Sequence, residues 1–445
     1  MAGIDPQEMS GNNRLLGSWA VGFSLGGDLP IERSNLMTII KFLLINLVLA
    51  ASTLQAADLV TFWDSPRHGG NSFNRLPPDL AYFQALRGYG ATWVRLSYDK
   101  WPTRQRDFLL GDADGYLQLS QPDLATLVKA LDAAHQAGLK VVIAPLSLPG
   151  LRWAQNNAGQ FDDRGWQDKA WWVQAGLFWR DLAAALKDHP AVAGYNLINE
   201  PAPEKMGGLA EHANAMAMAQ WYKQQEGTAR DLPAFYRDLI AAVREVDGLT
   251  PIILDAGWYA AADALSYWPE PMADAGVLYS YHMYEPYHFT SAPNMARATP
   301  YGYPGTVPYA GQQQRWDGSR IAGYLNDPVA WAQRLGIARN RLMVGEFGCM
   351  RRLAGCRQYL EDVLQTLDGQ GVHWAFYSFR EDSWDGMDYE LGSAPVPWRY
   401  WQAIDAGQPD PIPRRPTPQL EPISRRLGHD LRPAACDGQV TCPSP

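Results

Sequence analysis

Val192-Ala193-Gly194-Tyr195-Asn196-Leu197-Ile198, followed at once by Asn199-Glu200-Pro201, is the stretch that decides the fold. It is short and nearly unbroken in its apolar character. That pattern suits a strand buried on both faces, as in a parallel sheet. Working outward, the same kind of run recurs at Asp58–Phe62, Ala91–Leu96, Leu139–Ala144, Pro251–Leu254, Val277–Tyr281, Arg341–Val344 and Val372–Tyr377. Between these lie stretches of helical period, among them Pro122–Ala137, Trp171–Lys187, Leu232–Val246 and Cys356–Leu367. Strands alternating with helices point to βαβ units, and eight such units to a closed barrel. The expected fold is therefore α/β, a (β/α)8 TIM barrel. Residues 203–230 and 285–325 extend the loops after strands four and six, on the face where such barrels carry their chemistry.

A chain of 445 residues, 47% hydrophobic and 19% charged, can bury the large core that this barrel needs. Its net charge of −9 disfavours nucleic acid as a partner, because phosphate binding needs a basic face. Phe42–Ala51 is apolar but too short to span a bilayer, and it lies between Lys41 and the small residues Ser52, Ala56 and Ala57. That order reads as a secretory signal over residues 37–56, starting at Met37, with residues 1–36 as an upstream extension. The expected organisation is residues 1–57 as extension and signal, 58–406 as the barrel domain, and 407–445 as a Pro-rich tail that lies on the surface or is partly disordered. The mature protein is expected in the periplasm or outside the cell, without a membrane anchor, as a monomer. Cys349, Cys356, Cys436 and Cys442 fall into two close pairs, which in an exported chain predicts the disulfides Cys349–Cys356 and Cys436–Cys442. A four-thiolate zinc site is the poorer reading, since the spacings are long and no His cluster accompanies them.

The chemistry lies in the residues that end the strands. Strand four runs into Asn199-Glu200-Pro201 and strand seven into Gly345-Glu346-Phe347-Gly348. A charged side chain directly after a buried run is costly unless it is paired or used. Strand ends four and seven converge on one barrel mouth, where two glutamates can flank a glycosidic bond. Its hydrolysis needs an acid for the leaving oxygen and a second carboxylate. Taken alone, either glutamate could equally be a structural ion pair; two in matching positions are better explained by chemistry.

Four motifs carry a family resemblance: Trp93-Val94-Arg95-Leu96, Tyr195–Pro201, His282-Met283-Tyr284 and Val344-Gly345-Glu346-Phe347-Gly348. In this order they resemble glycoside hydrolase family 5, the cellulase-like retaining glycosidases. The resemblance implies Glu200 as acid/base and Glu346 as nucleophile. It implies that Arg95 and Tyr284 hold Glu346, that Asn199 bonds the sugar 2-hydroxyl, and that His282 sets the protonation of Glu200. It also implies an oligosaccharide or polysaccharide substrate, a β-glucan or related β-glycan, with no cofactor and no metal. The chain departs from the family after strand three, where Ala144–Gly150 lacks the usual His, and on strand eight, where Tyr377 occupies the usual Trp position.

High aromatic content, with 18 Trp and 21 Tyr, suits stacking on sugar rings. Trp384 and Asp382, in the loop after strand eight, are the leading candidates for sugar contact. Trp63, Asp64, His68, Asn71, Trp153, Asn156, Trp258 and Tyr259 follow other strands and are further candidates. Two other functions remain open at this level: a carbohydrate-binding barrel without turnover, and a transglycosylase using the same intermediate.

Overall fold

A computed structural model describes residues 61–428. The expected signal at 37–56, the upstream extension and the Cys436–Cys442 pair lie outside the described residues. Strands β1 (His68–Ser72), β2 (Trp93–Leu96), β3 (Lys140–Ile143), β4 (Val192–Asn196), β5 (Ile252–Asp255), β6 (Val277–Met283), β7 (Leu342–Phe347) and β8 (His373–Phe376) close into a barrel. All neighbours pair parallel, and β8 returns to β1.

The first strand corrects the sequence reading. Asp58–Phe62 is the expected strand, but its described residues, Thr61 and Phe62, are helical and β1 is His68-Gly69-Gly70-Asn71-Ser72. It has no apolar run because its neighbours leave no room for one. A Cβ on Gly69 would lie 2.3 Å from the Trp93 carbonyl oxygen, and one on Gly70 would lie 2.9 Å from the Phe376 ring.

Helices α1 (Leu80–Gly88), α2 (Gln121–Gln136), α3 (Ala170–Leu186), α4 (Leu232–Arg244), α5 (Gly318–Arg334), α6 (Cys356–Gln370) and α7 (Glu421–Leu427) wrap the barrel. In α4, the Asp231 carboxylate accepts the Ala234 backbone N–H and Pro233 sits in the first turn, a good helix start. Its Leu232, Phe235, Tyr236, Leu239, Ile240 and Val243 form one buried face at helical spacing. The connection from β5 to β6 holds two short turns, Gly257–Ala260 and the 3-10 turn Ala262–Tyr267, in place of a full helix.

The Pro-rich tail is the second correction. Residues 407–445 were expected to lie on the surface, yet α7 falls within them, with Ile423 and Leu427 fully buried. Arg426 bonds Asp368 and Glu361 of α6, and the backbone at Leu427 lies so close to Gly90 that a Cβ there would come within 2.5 Å of the Leu427 carbonyl oxygen. The loops after β4 and β6 are extended as expected. The first carries helices Pro203–Met206 and Ala215–Gln225, and the second a hairpin of Gly305–Tyr309 with Gln312–Trp316. Cys349 and Cys356 are joined in a disulfide.

Inside the barrel the two-residue period of the strands changes character with height. A fully buried floor is formed by Trp63, Trp93, Val142, Ala193, Ile253, Leu278, Met343 and Ala375. Two residues further along, Trp93 gives way to Arg95, Ile253 to Asp255, Leu278 to Ser280 and Ala375 to Tyr377. An apolar plug thus supports a polar deck at the C-terminal mouth.

Candidate active site

Arg95 is the hub of that deck and is 2% exposed. Its Nη1 donates to Glu346 Oε1 at 2.6 Å and to Asn71 Oδ1 at 3.3 Å. Its Nε donates to Asn196 Oδ1 at 2.9 Å. Its Nη2 donates to Asn199 Oδ1 at 2.6 Å and to Asp255 Oδ2 at 3.3 Å. A guanidinium taken out of water needs such saturation, because each unmet donor would cost about 1–3 kcal/mol. The fork also fixes the Glu346 carboxylate, whose other oxygen accepts the Tyr284 hydroxyl at 2.7 Å.

Glu200 approaches from the β4 side. Its backbone is left-handed (φ 48°), a conformation that costs of order 1–3 kcal/mol for a residue with a Cβ. Asp255 Oδ2 holds it there by accepting the Glu200 backbone N–H at 3.1 Å. His282 Nδ1 bonds Glu200 Oε1 at 2.8 Å, and its Nε2 lies 3.6 Å from Asp255. A register shift after Tyr281 sets His282 opposite Glu346 instead of Gly345. Gly345 makes room, since a Cβ there would lie 2.9 Å from the His282 ring nitrogen. Oxygens of Glu200 and Glu346 come within 4.8 Å of each other. With His282 they form a trio whose ligand atoms lie within 4.8 Å of one another, with both Glu346 oxygens engaged by Arg95 and Tyr284 and Glu200 Oε1 by His282.

Electrostatics favours the protonated form of Glu200. Burial pushes the Glu200 carboxyl above its ordinary range, against the lowering effect of His282, and the charges of Glu346 and Asp255 add to the rise. Burial disfavours charge on His282, but Glu346, Asp255 and Glu200 outweigh it and raise its pKa. Tyr284 is held well above 10, first by burial and then by the charge of Glu346, so it stays a donor to that carboxylate.

A cavity of about 380 Å³ opens over the pair, lined among others by Asn199, Glu200, Tyr284, Glu346, Tyr377 and Trp384. Arg95 and His282 lie beneath. The structure therefore brings eight of the nine leading sequence candidates together and separates one. Asp382 turns away, its oxygens accepting the backbone N–H groups of Arg75 (2.5 Å) and Leu76 (2.9 Å) as a loop anchor. Among the further candidates, Asn71 and Trp153 line the cavity and Tyr259 an adjoining one. Trp63 instead forms the floor, where its Nε1 donates to the Ala193 carbonyl oxygen. His68 stacks on Trp374 at the N-terminal end of β1. Asn156 donates to the Asp99 carbonyl oxygen, Trp258 is buried, and Asp64 is exposed.

Asp255 and Asn196 were missed as members of the deck, which Asn71, one of the further candidates, joins through Arg95. For Asp255 the signal was present: it follows Pro251–Leu254 as Glu346 follows its own apolar run. Asn196 carries no charge to mark it.

A family model for cellulase, glycosyl hydrolase family 5, matches residues 57–383. No curated protein matches the sequence. Among solved structures, the fold is similar to Pseudomonas stutzeri endoglucanase Cel5A, at 19% identity and a TM-score of 0.52 over 82% of this chain and 95% of that one. It is also similar to a hyperthermophilic endo-beta-1,4-glucanase in complex with substrate, at 16% identity and a TM-score of 0.53 over 79% and 99%. Thermotoga maritima Cel5A in complex with cellobiose, a mutant form, is similar at 15% identity and a TM-score of 0.53 over 76% and 94%. With a polar deck of paired carboxylates at the mouth of a parallel barrel and a family match across most of its length, this chain belongs to the cellulase family, glycosyl hydrolase family 5.

Proposed function

We propose that this glycoside hydrolase cleaves a β-glucan or related β-glycan with retention of configuration. The observation that carries this reading is the separation of the two carboxylates, whose oxygens come within 4.8 Å. Retaining enzymes hold their carboxyl groups about 5–5.5 Å apart and inverting ones about 6.5–9.5 Å, to admit a water between carboxylate and sugar. The substrate class is supported by similarity to Pseudomonas stutzeri endoglucanase Cel5A and Thermotoga maritima Cel5A, each in complex with cellobiose.

In the first step a Glu346 oxygen bonds the anomeric carbon while Glu200 gives its proton to the departing glycosidic oxygen. In the second step Glu200 takes a proton from water, whose oxygen attacks the anomeric carbon and releases Glu346. Two inversions leave the β configuration. Arg95 and Tyr284 keep Glu346 aimed. Asn199 has its amide oxygen taken by Arg95, which leaves its NH2 as the end available to the 2-hydroxyl. The signal-like order of residues 37–56 and the Cys349–Cys356 disulfide support action in an oxidising compartment outside the cytoplasm.

The test is the anomer released first. NMR of cello-oligosaccharide hydrolysis is expected to show the β hemiacetal before mutarotation, and initial α product sinks the retaining reading. A pH dependence follows from Glu200, which must hold its proton for bond cleavage. Since its pKa is raised, kcat/KM is expected to stay high through mildly acidic pH and to fall as pH rises through that raised value. Glu200→Gln, assayed with an activated aryl glycoside, is expected to lose that alkaline limb. An unchanged limb in the variant would assign it to another group.

A further inference from the structure

Three consecutive non-glycine residues after β5 have left-handed backbones: Trp258 (φ 49°), Tyr259 (φ 58°) and Ala260 (φ 62°). Each costs about 1–2 kcal/mol relative to ordinary backbone, so the segment persists only where its surroundings fix it. Glu204, fully buried in the β4 loop, does much of this. Its Oε2 accepts the Trp258 backbone N–H at 3.0 Å, and its Oε1 accepts the Tyr222 hydroxyl. Gly257 is required beside it, because a Cβ there would lie 1.8 Å from Glu204 Oε1. The Tyr259 backbone N–H donates to the Pro201 carbonyl oxygen at 3.2 Å, which ties the segment to the residue after Glu200. From Gly257 to Ala260 every residue is buried except Tyr259. The strained turn therefore presents one side chain.

Tyr259 lines a cavity of about 300 Å³ that adjoins the central one, together with Phe161, Trp166 and Met206. Glu200 lines both cavities, whereas Glu346 lines only the central one. The proton of Glu200 goes to the departing oxygen, so the departing sugar lies past Glu200 as seen from Glu346. That places it in the adjoining cavity. Lys205 Nζ donates to the Tyr259 hydroxyl oxygen at 2.7 Å and lies 4.5 Å from the Phe161 ring centre. An ammonium has donors only, so Tyr259 accepts there and keeps its own hydroxyl proton for another acceptor. A sugar hydroxyl is such an acceptor, and the flanking aromatic rings suit a pyranose face.

We propose that Tyr259 contacts the departing sugar of a β-glycan, and that the left-handed run held by Glu204 is the device that positions it. This rests on the retaining reading above. The same contact serves an acceptor sugar or its replacement by water in the second step.

The experiment compares two substrates with a common glycone. One is cellotetraose, whose leaving group is a sugar. The other is β-cellobiosyl fluoride, whose leaving group fills no sugar site. Tyr259→Ala is expected to lower kcat/KM for cellotetraose about tenfold or more while leaving the fluoride within about twofold. Tyr259→Phe, which keeps the ring, is expected to lose only part of the cellotetraose activity. Glu204→Gln is expected to follow Tyr259→Ala, with the loss confined to the sugar leaving group. Equal losses on both substrates in Tyr259→Phe and Glu204→Gln, or no loss on either, overturn the proposal. Failure of the retaining reading is read separately, from wild-type enzyme that releases α product or does not turn over the fluoride.

Discussion

Glu346→Ala is expected to abolish turnover, by at least about 10⁴-fold in kcat, while the protein still folds and binds its glycan. The carboxylate supplies the bond that replaces the glycosidic one, and no neighbouring side chain substitutes for it. Arg95 and Tyr284 donate to Glu346, and Glu200 is engaged by His282. The truncation leaves space where the carboxylate stood. Azide is expected to enter it and attack the anomeric carbon of an activated β-glycoside from the same face, giving an α-glycosyl azide and partial recovery of rate. Full activity in Glu346→Ala removes this residue as nucleophile. Wild-type protein that binds cello-oligosaccharides but never cleaves them instead favours the non-catalytic barrel.

Arg95→Met should be damaging in two currencies at once. Removing the guanidinium leaves Asp255, which is 0% exposed, without its nearest cation, and breaking a buried pair in this way costs about 3–5 kcal/mol. It also frees Glu346 from its fixed orientation, so kcat falls along with stability. The expected result is a lower urea midpoint with an unchanged m-value, together with a loss of kcat of about 10²-fold or more. Arg95→Lys keeps the charge but not the fork. A single ammonium cannot reach Asn196, Asn71, Glu346, Asn199 and Asp255 in the geometry that the guanidinium spans. It is expected to recover part of the stability and little of the rate. A Met variant as stable as wild type would show that the deck tolerates an uncompensated carboxylate.

The contrast between β4 and β1 shows what a sequence exposes. β4 and β7 are legible because they are buried on both faces by their own side chains and then end abruptly in a glutamate. β1 is equally part of the barrel, but its neighbours supply the bulk. Gly69 yields to Trp93 and Gly70 to Phe376, so the strand reads as a polar turn. α7 was hidden for a related reason: its prolines and charges resemble a tail, while only Ile423 and Leu427 report its buried side. In the site, Glu200, Glu346, Arg95, His282 and Tyr284 stood at strand ends and were found. Asp382 stood in an equally acidic loop but anchors backbone amides, a role that depends on where Arg75 and Leu76 fall in space. The left-handed turn at Trp258–Ala260 left no trace at all, since none of its residues is one that favours that conformation.

The late position of α7 bears on how the protein is made. A ribosome delivers β1 and the Gly90 turn early and the helix that packs beside them among the last residues described here. Between the emergence of α6 and that of α7, the flank of α6 that pairs with Arg426 stays uncovered on the nascent chain. Vectorial folding can build the floor, the deck and the closed barrel in order, but covering this outer flank waits for α7. A protease cutting between Trp398–Asp405 and Glu421 would undo that last stitch while leaving every catalytic side chain in place.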